Sequence, residues 1–128
     1  MYIYYKTVYK MELLTDELKK AFEEYPLYSQ EDKGKDSKVI CKYFFPSGRA
    51  TFYATEGQPQ EDGDFLFFGY VVIFEGEFGY FTLSQLEEIK IPVEIEGLGS
   101  GLVTMERDLY FPIAELTVSE ALKEDGRE

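Results

Sequence analysis

The chain has 128 residues, 45% of them hydrophobic and 17% aromatic, with no Trp and no His. Twenty-five acidic against 13 basic residues leave a formal charge of −12, a field that repels phosphate backbones and anionic lipid and so disfavours nucleic-acid and membrane binding. The absence of histidine removes the commonest general base, and a single cysteine excludes any intramolecular disulfide.

The length suits one domain with a core that needs no metal or disulfide staple. Its first segment, Tyr2 to Lys10, is rich in Tyr, Ile and Val and reads as an N-terminal strand or a loosely attached extension. Met1 to Met11 has neither a basic start nor an uninterrupted apolar stretch, and no apolar run approaches the roughly 20 residues of a membrane span, so a cytoplasmic protein is expected. Thr15 is a good N-cap, Asp16 and Glu17 suit the first turn, and Leu14, Leu18, Ala21, Phe22 and Tyr25 recur at helical spacing. This predicts an amphipathic helix over 15–25, stopped by Pro26, and then an exposed polar loop from Ser29 to Ser37.

Lys38–Phe45 and Arg49–Thr55 read as a hairpin about Pro46-Ser47-Gly48, followed by a second polar loop over 57–64. Cys41 sits in the apolar run Val39-Ile40-Cys41 and is expected to serve as a small buried hydrophobe. Phe65–Phe74, the most apolar stretch, reads as a central strand covered on both faces, and Phe78–Phe81 as a short partner. Thr82 with Gln85 fits a capping box for a helix ending near Lys90. Ile91–Ile95 is a strand whose Pro92 suggests an edge, and the glycine-rich turn from Gly97 to Gly101 leads to Leu102–Met105 and then Glu106–Phe111. Thr117 with Glu120 is a second capping box, opening a last helix before a frayed acidic tail over 123–128. The pattern predicts a single α+β domain, a mostly antiparallel sheet with two to three helices packed on one face.

Four features bear on chemistry. Carboxylates at turns (Glu56, Asp62, Asp64, Glu75, Glu77, Glu106 and Asp108) are the raw material of a divalent-metal or acid–base site, although an acidic protein carries carboxylates at most turns. Glu106-Arg107-Asp108, beside Tyr110 and Phe111, is the segment best suited to function; in a strand its two carboxylates share a face, and Arg107 either joins an ion pair or reads an anion. The candidate functional cluster is therefore Glu56, Glu106, Arg107, Asp108 and Tyr110, with no assigned catalytic residue, metal or cofactor. The glycines of 97–101 precede a strand-like run, not a helix, and form a turn in preference to a phosphate cradle. Finally, Tyr2, Tyr4, Tyr5, Tyr9, Tyr28, Tyr43, Tyr53 and Tyr80 exceed what a small core easily hides, and exposed Tyr with few nearby Lys suits protein recognition.

Several blocks occur together in order: Leu13-Leu14-Thr15, Pro26-Leu27-Tyr28, Lys42-Tyr43-Phe44-Phe45-Pro46, Phe52-Tyr53-Ala54-Thr55-Glu56, Phe67-Phe68-Gly69, Glu77-Phe78-Gly79-Tyr80-Phe81-Thr82-Leu83 and Glu106-Arg107-Asp108-Leu109-Tyr110-Phe111. From Leu13 to Phe111 the chain resembles an uncharacterised bacterial family, a domain of unknown function whose members often lie on plasmids and conjugative elements. Where that pattern often has Trp, this chain has Phe52, and where it tends to an aromatic, this chain has Gly57. The resemblance implies an accessory role in mobile DNA and carries no activity, cofactor or catalytic residue. Charge, tyrosine excess and lack of histidine together favour a non-enzymatic protein that engages a basic partner protein through an acidic, Tyr-rich surface, one form of which is mimicry of nucleic-acid charge. The alternative is a carboxylate-dependent divalent-metal hydrolase or metal-binding protein, and it requires Glu56, Glu106 and Asp108 to converge.

Overall fold

A computed structural model describes residues 11–46, 48, 50–97 and 99–127, so the N-terminal strand or extension expected over 1–10 lies outside the described residues. Helix α1 (Asp16–Glu23) begins where Thr15 Oγ1 accepts the Leu18 amide at 3.2 Å, with Asp16 and Glu17 in its first turn. Strands β1 (Cys41–Phe44), β2 (Thr51–Pro59), β3 (Phe65–Val72) and β4 (Gly76–Thr82) follow. Helix α2 (Leu83–Glu88) and helix α3 (Val118–Glu124) each open on the expected capping box, at Thr82 with Gln85 and at Thr117 with Glu120. Between them lie β5 (Lys90–Ile95), β6 (Gly99–Thr104) and the two-residue β7 (Glu106–Arg107). Five strands form one antiparallel sheet in the order β4-β3-β2-β1-β7, and β5 and β6 form a separate hairpin.

The fold is α+β, as the sequence predicts, but the helices do not share a face. Along β2, Phe52 and Ala54 point to a cluster that includes Leu18 and Phe22 of α1 and Leu86 of α2. Tyr53 points the other way, to Val118, Ala121 and Leu122 of α3. Aromatic rings fill the first layer: Phe22 lies 5.5 Å from both Phe65 and Phe67, and Phe81 lies 5.2 Å from Phe67 and 4.9 Å from Phe52. Each such side chain removed from water contributes about 1.5–3 kcal/mol, so the α1 face is held by its Phe side chains more than by helix propensity.

The doubly covered strand is β2 and not β3. Residues 51–57 are all buried, whereas β3 alternates buried and half-buried positions because only its Phe65 and Phe67 side faces the aromatic core. β2 also runs past its predicted end at Thr55, through a stretch expected to be loop. A bulge lets it do so: Ala54 pairs with Gly69 and Glu56 with Phe68, leaving Thr55 as the extra residue. A bulge reverses which residues face which side of the sheet. Beyond it Gly57 faces α1, where an added Cβ would meet the Phe65 and Phe22 rings at 2.6 and 3.2 Å. Glu56 is thereby turned to the opposite face.

Two stretches expected to be solvated are tied down instead. Within 29–37, Gln30 and Ser37 are buried. In the C-terminal tail, Asp125 accepts the Tyr53 hydroxyl and pairs with Lys42 at 2.8 Å, and Arg127 Nη2 donates to Thr51 Oγ1 at 3.0 Å. Cys41 is buried as expected, and burial pushes its thiol from 9.0 up to about 12. No described helix is long and apolar enough to cross a membrane.

Candidate functional site

β1 pairs with β2 only as far as Ala54, so the outer edge of the rest of β2 needs other partners. The segment after α1 supplies them. Tyr25 O accepts the Gly57 amide at 3.1 Å, and Gln30 Nε2 donates to Thr55 O at 2.8 Å and to Lys38 O at 2.9 Å. Gln30 Oε1 accepts the Lys38 amide at 2.7 Å, and Gln58 Oε1 accepts the Leu27 amide at 3.2 Å. At the centre, the buried Glu56 carboxylate accepts the Tyr28 amide on Oε1 and the Gln30 amide on Oε2, each at 2.8 Å. Hydrogen bonds to an ionised acceptor are about twice as strong as neutral ones, and both oxygens here are aimed at backbone.

Glu56 holds Tyr28 in an unusual conformation. Tyr28 has φ of +74°, a left-handed geometry that costs a non-glycine residue on the order of 1–2 kcal/mol. Its ring is left 62% exposed, beside Tyr80 of β4 at 52%. The neighbouring Tyr28 hydroxyl, with partial desolvation and the nearby Glu56 and Glu31 charges, holds the Tyr80 hydroxyl above its ordinary value. The same side of β3 and β4 carries a row of rings that runs from the exposed Tyr80 to the edge of the α3 cluster. Phe68 stacks on Phe78 at 5.8 Å and meets Tyr80 at 4.9 Å, and Tyr70 meets Phe78 at 5.0 Å, with Tyr70 and Phe78 half-buried against the Val118, Ala121 and Leu122 cluster. Lys35 Nζ lies 5.3 Å above the Tyr70 ring, within cation–π range. The turn beyond Val72 exposes Ile73 and, at 98%, Phe74, next to exposed Glu75 and Glu77.

The segment chosen from sequence lies elsewhere. Glu106 pairs with Phe44, which in turn pairs with Thr51, so Glu106 sits two strands across and five residues down from Glu56. Strand geometry puts the two on the order of 15–20 Å apart. The strand ends at Arg107, whose Nε donates to Glu12 O at 3.2 Å and whose amide lies 3.0 Å from Met11 Sδ, so it ties the start of the described chain to the sheet edge. Asp108 Oδ1 accepts the Tyr110 amide at 3.0 Å and Oδ2 lies 3.9 Å from Lys42 Nζ. Tyr110 itself is 94% exposed. Asp108 shares an open cleft of about 380 Å³ with Lys42, Thr51, Asp125 and Arg127, where Lys42 bridges the two carboxylates and lies over the Tyr53 ring at 5.8 Å.

The structure therefore brings Glu106, Arg107, Asp108 and Tyr110 to one sheet edge and leaves Glu56 apart. Among the described residues no group of three or more His, Cys, Asp or Glu side chains is placed to hold a metal ion. Sequence reasoning did not join Gln30, which lies in the polar run after the first helix, nor Tyr28, Phe68 and Tyr80, which lie in the quoted blocks. For the three tyrosine and phenylalanine residues the signal was present in the blocks Pro26-Leu27-Tyr28, Phe52 to Glu56, Phe67-Phe68-Gly69 and Glu77 to Leu83, four separate stretches that meet around Glu56.

These features define a small α+β protein in which a buried carboxylate braces a displayed aromatic surface. A family model described as a protein of unknown function, DUF2958, matches residues 13–125, and the chain belongs to that family. No curated protein and no solved structure matches it.

Proposed function

We propose that the protein is a non-enzymatic binding protein that engages a basic partner protein through the aromatic, acid-rimmed surface formed by Tyr28 and the outer side of β3 and β4. One observation carries this reading: a buried carboxylate, Glu56, fixes a left-handed Tyr28 so that its ring stands exposed against an exposed Tyr80. Local backbone strain that the surroundings over-determine is concentrated at functional positions. Tyr is enriched in interface cores, where its large rigid body buries area and its hydroxyl stays hydrogen-bonded. The −12 charge supplies attraction and faster encounter with a basic protein, including one that itself binds nucleic acid. A role as a cytoplasmic accessory of mobile DNA elements is the setting that the family resemblance implies.

The carboxylate-dependent hydrolase needs Glu56 beside Glu106 and Asp108, and that separation leaves it without a common pocket. Two experiments divide the readings. Affinity capture from a bacterial lysate at low salt is expected to recover a basic protein with the parent chain and to lose it with the Tyr28→Ala/Tyr80→Ala pair; recovery of the same proteins by both would refute the surface. A chelator-stripped sample titrated with Mg²⁺, Mn²⁺ and Ca²⁺ is expected to give a flat thermal series. A metal at about 100 times its Kd would add roughly 2.7 kcal/mol, and such a rise, abolished by Asp108→Ala, would move the case to the metal reading.

A further inference from the structure

β4 is the last strand of the five-stranded sheet, and its far edge pairs with no other described strand. Proteins usually blunt such an edge with Lys, Pro, a bulge or a very short strand. β4 carries one exposed charge, Glu77, and none of the others. It runs seven residues, Gly-Glu-Phe-Gly-Tyr-Phe-Thr, in unbroken register with β3 from Leu66↔Thr82 to Val72↔Gly76. Gly79, at its middle, has nothing within 4 Å of where a side chain would stand, so the sheet face is open there.

We propose that β4 receives an extended basic segment of the partner protein as an added strand, with backbone hydrogen bonds along the edge and Lys or Arg side chains alternating onto the Phe78–Tyr80 side. The proposal rests on the reading of that side as the partner surface and specifies its occupant. Edge addition supplies affinity from the main chain and specificity from alternate side chains. Two observations set the charge of the occupant. Glu75, before the strand, and Glu77, which faces the side of the sheet opposite Phe78 and Tyr80, are both exposed. With the chain's −12 the field along this edge therefore favours a cationic segment, though Glu77 does not itself face the ring row. The ring row already accommodates an ammonium, Lys35 over Tyr70 at 5.3 Å, and the exposed Tyr80 ring offers the same kind of face to an incoming cation. A second copy of this chain is the less suitable occupant, because it would bring another −12 charge and a second Glu77 to the same edge.

The test uses a synthetic peptide alternating lysine and valine, its counterpart N-methylated on every second amide, and a glutamate–valine control, each titrated into the full chain at low salt. Hydrogen exchange is followed on the amides of β4. The lysine peptide is expected to bind and to slow exchange along 76–82. The N-methylated peptide is expected to bind at least about tenfold more weakly, the effect of losing one or two net hydrogen bonds, and the glutamate peptide not at all. Equal binding of the methylated and unmethylated peptides, or no slowing in β4, overturns strand addition. If the Tyr28→Ala/Tyr80→Ala pair still loses the partner captured from lysate, the surface stands and only the mode fails. Concentration-dependent dimerisation that protects β4 without any peptide would overturn the basic occupant in favour of a second copy.

Discussion

Glu56→Ala is the sharpest perturbation of the bracing that this account places at the centre of the molecule. The substitution removes both acceptors at 2.8 Å and leaves the Tyr28 and Gln30 amides without partners, the second of them buried. A hydrogen bond to a charged group contributes about 1.5–3 kcal/mol, and an orphaned buried donor costs about 1–3 kcal/mol. Allowing water to reach the half-exposed Tyr28 amide, the loss comes to about 3–5 kcal/mol, a large part of the 5–15 kcal/mol typical of whole domains. For a chain of this length that lowers Tm by roughly 10–20 °C. Glu56→Gln, which keeps one acceptor and turns an amide group toward the other donor, is expected to fall between parent and Ala. Urea unfolding followed by Tyr fluorescence, with hydrogen exchange read at Tyr28 and Gln30, measures both terms. A Gln30→Ala cycle should show coupling, since Gln30 bonds the same stretch of β2 through Thr55 O. If Glu56→Ala stayed within about 0.5 kcal/mol of parent, the range of ordinary surface changes, with both amides still protected, the bracing argument would be refuted.

Three further outcomes follow from the same geometry. Burial raises the Cys41 thiol from 9.0 to about 12, burial with the Cys41 contacts raises Tyr43 well above 10.0, and burial with the Asp125 bond raises Tyr53. Because these folded values exceed the unfolded ones, their contribution is intact below pH 9 and is lost as pH rises, at about 1.4 kcal/mol per pH unit for each withheld proton. Urea midpoints taken from pH 8 to 11 should fall gently above 9 and steeply above 10, with the first step absent in Cys41→Ala; a flat profile to pH 11 would contradict the burial of these groups. On the acid side, Ser84 Oγ at 2.6 Å and the Phe65 amide hold Asp64 below its usual 3.8, so the contribution is present above that value and is lost as pH falls through the depressed one. Ser84→Ala should therefore be less stable than parent at pH 7, with the gap closing at low pH, as thermal melts over pH 2–7 would show. Gly69→Ala would place a methyl 2.1 Å from the Tyr53 carbonyl oxygen, a clash with backbone at the bulge, and is expected to cost about 3 kcal/mol or more in urea unfolding.

Helix starts were legible in the sequence because their chemistry is local: Thr15, Thr82 with Gln85, and Thr117 with Glu120 all cap within a few residues. The continuation of β2 was not, because Glu56-Gly57 reads as a turn unless the bulge at Thr55 is known, and a bulge depends on the partner strand. Gln30 was hidden for a different reason. It lies in the polar run Ser29 to Ser37, and the carbonyls that it satisfies, at Lys38 and Thr55, come together only in the fold. The tail misled in the same way, since Asp125 and Arg127 are fixed by Tyr53 and Thr51, more than seventy positions earlier. Tyrosine excess pointed toward the candidate surface as a composition, without saying that Tyr28 and Tyr80, rather than the buried Tyr43 and Tyr53, were the displayed pair. Glu106 and Asp108 drew attention as carboxylates near an arginine, yet Arg107 reaches the Glu12 carbonyl and Asp108 faces Lys42.

Site-specific photo-crosslinking in living bacteria tests the binding surface most directly, with a benzophenone amino acid placed at Tyr80 and, as control, at the equally exposed Leu102 of β6. The account predicts a discrete crosslinked protein of basic composition from position 80 and none from 102. Crosslinking from 102 with silence at 80 would contradict it.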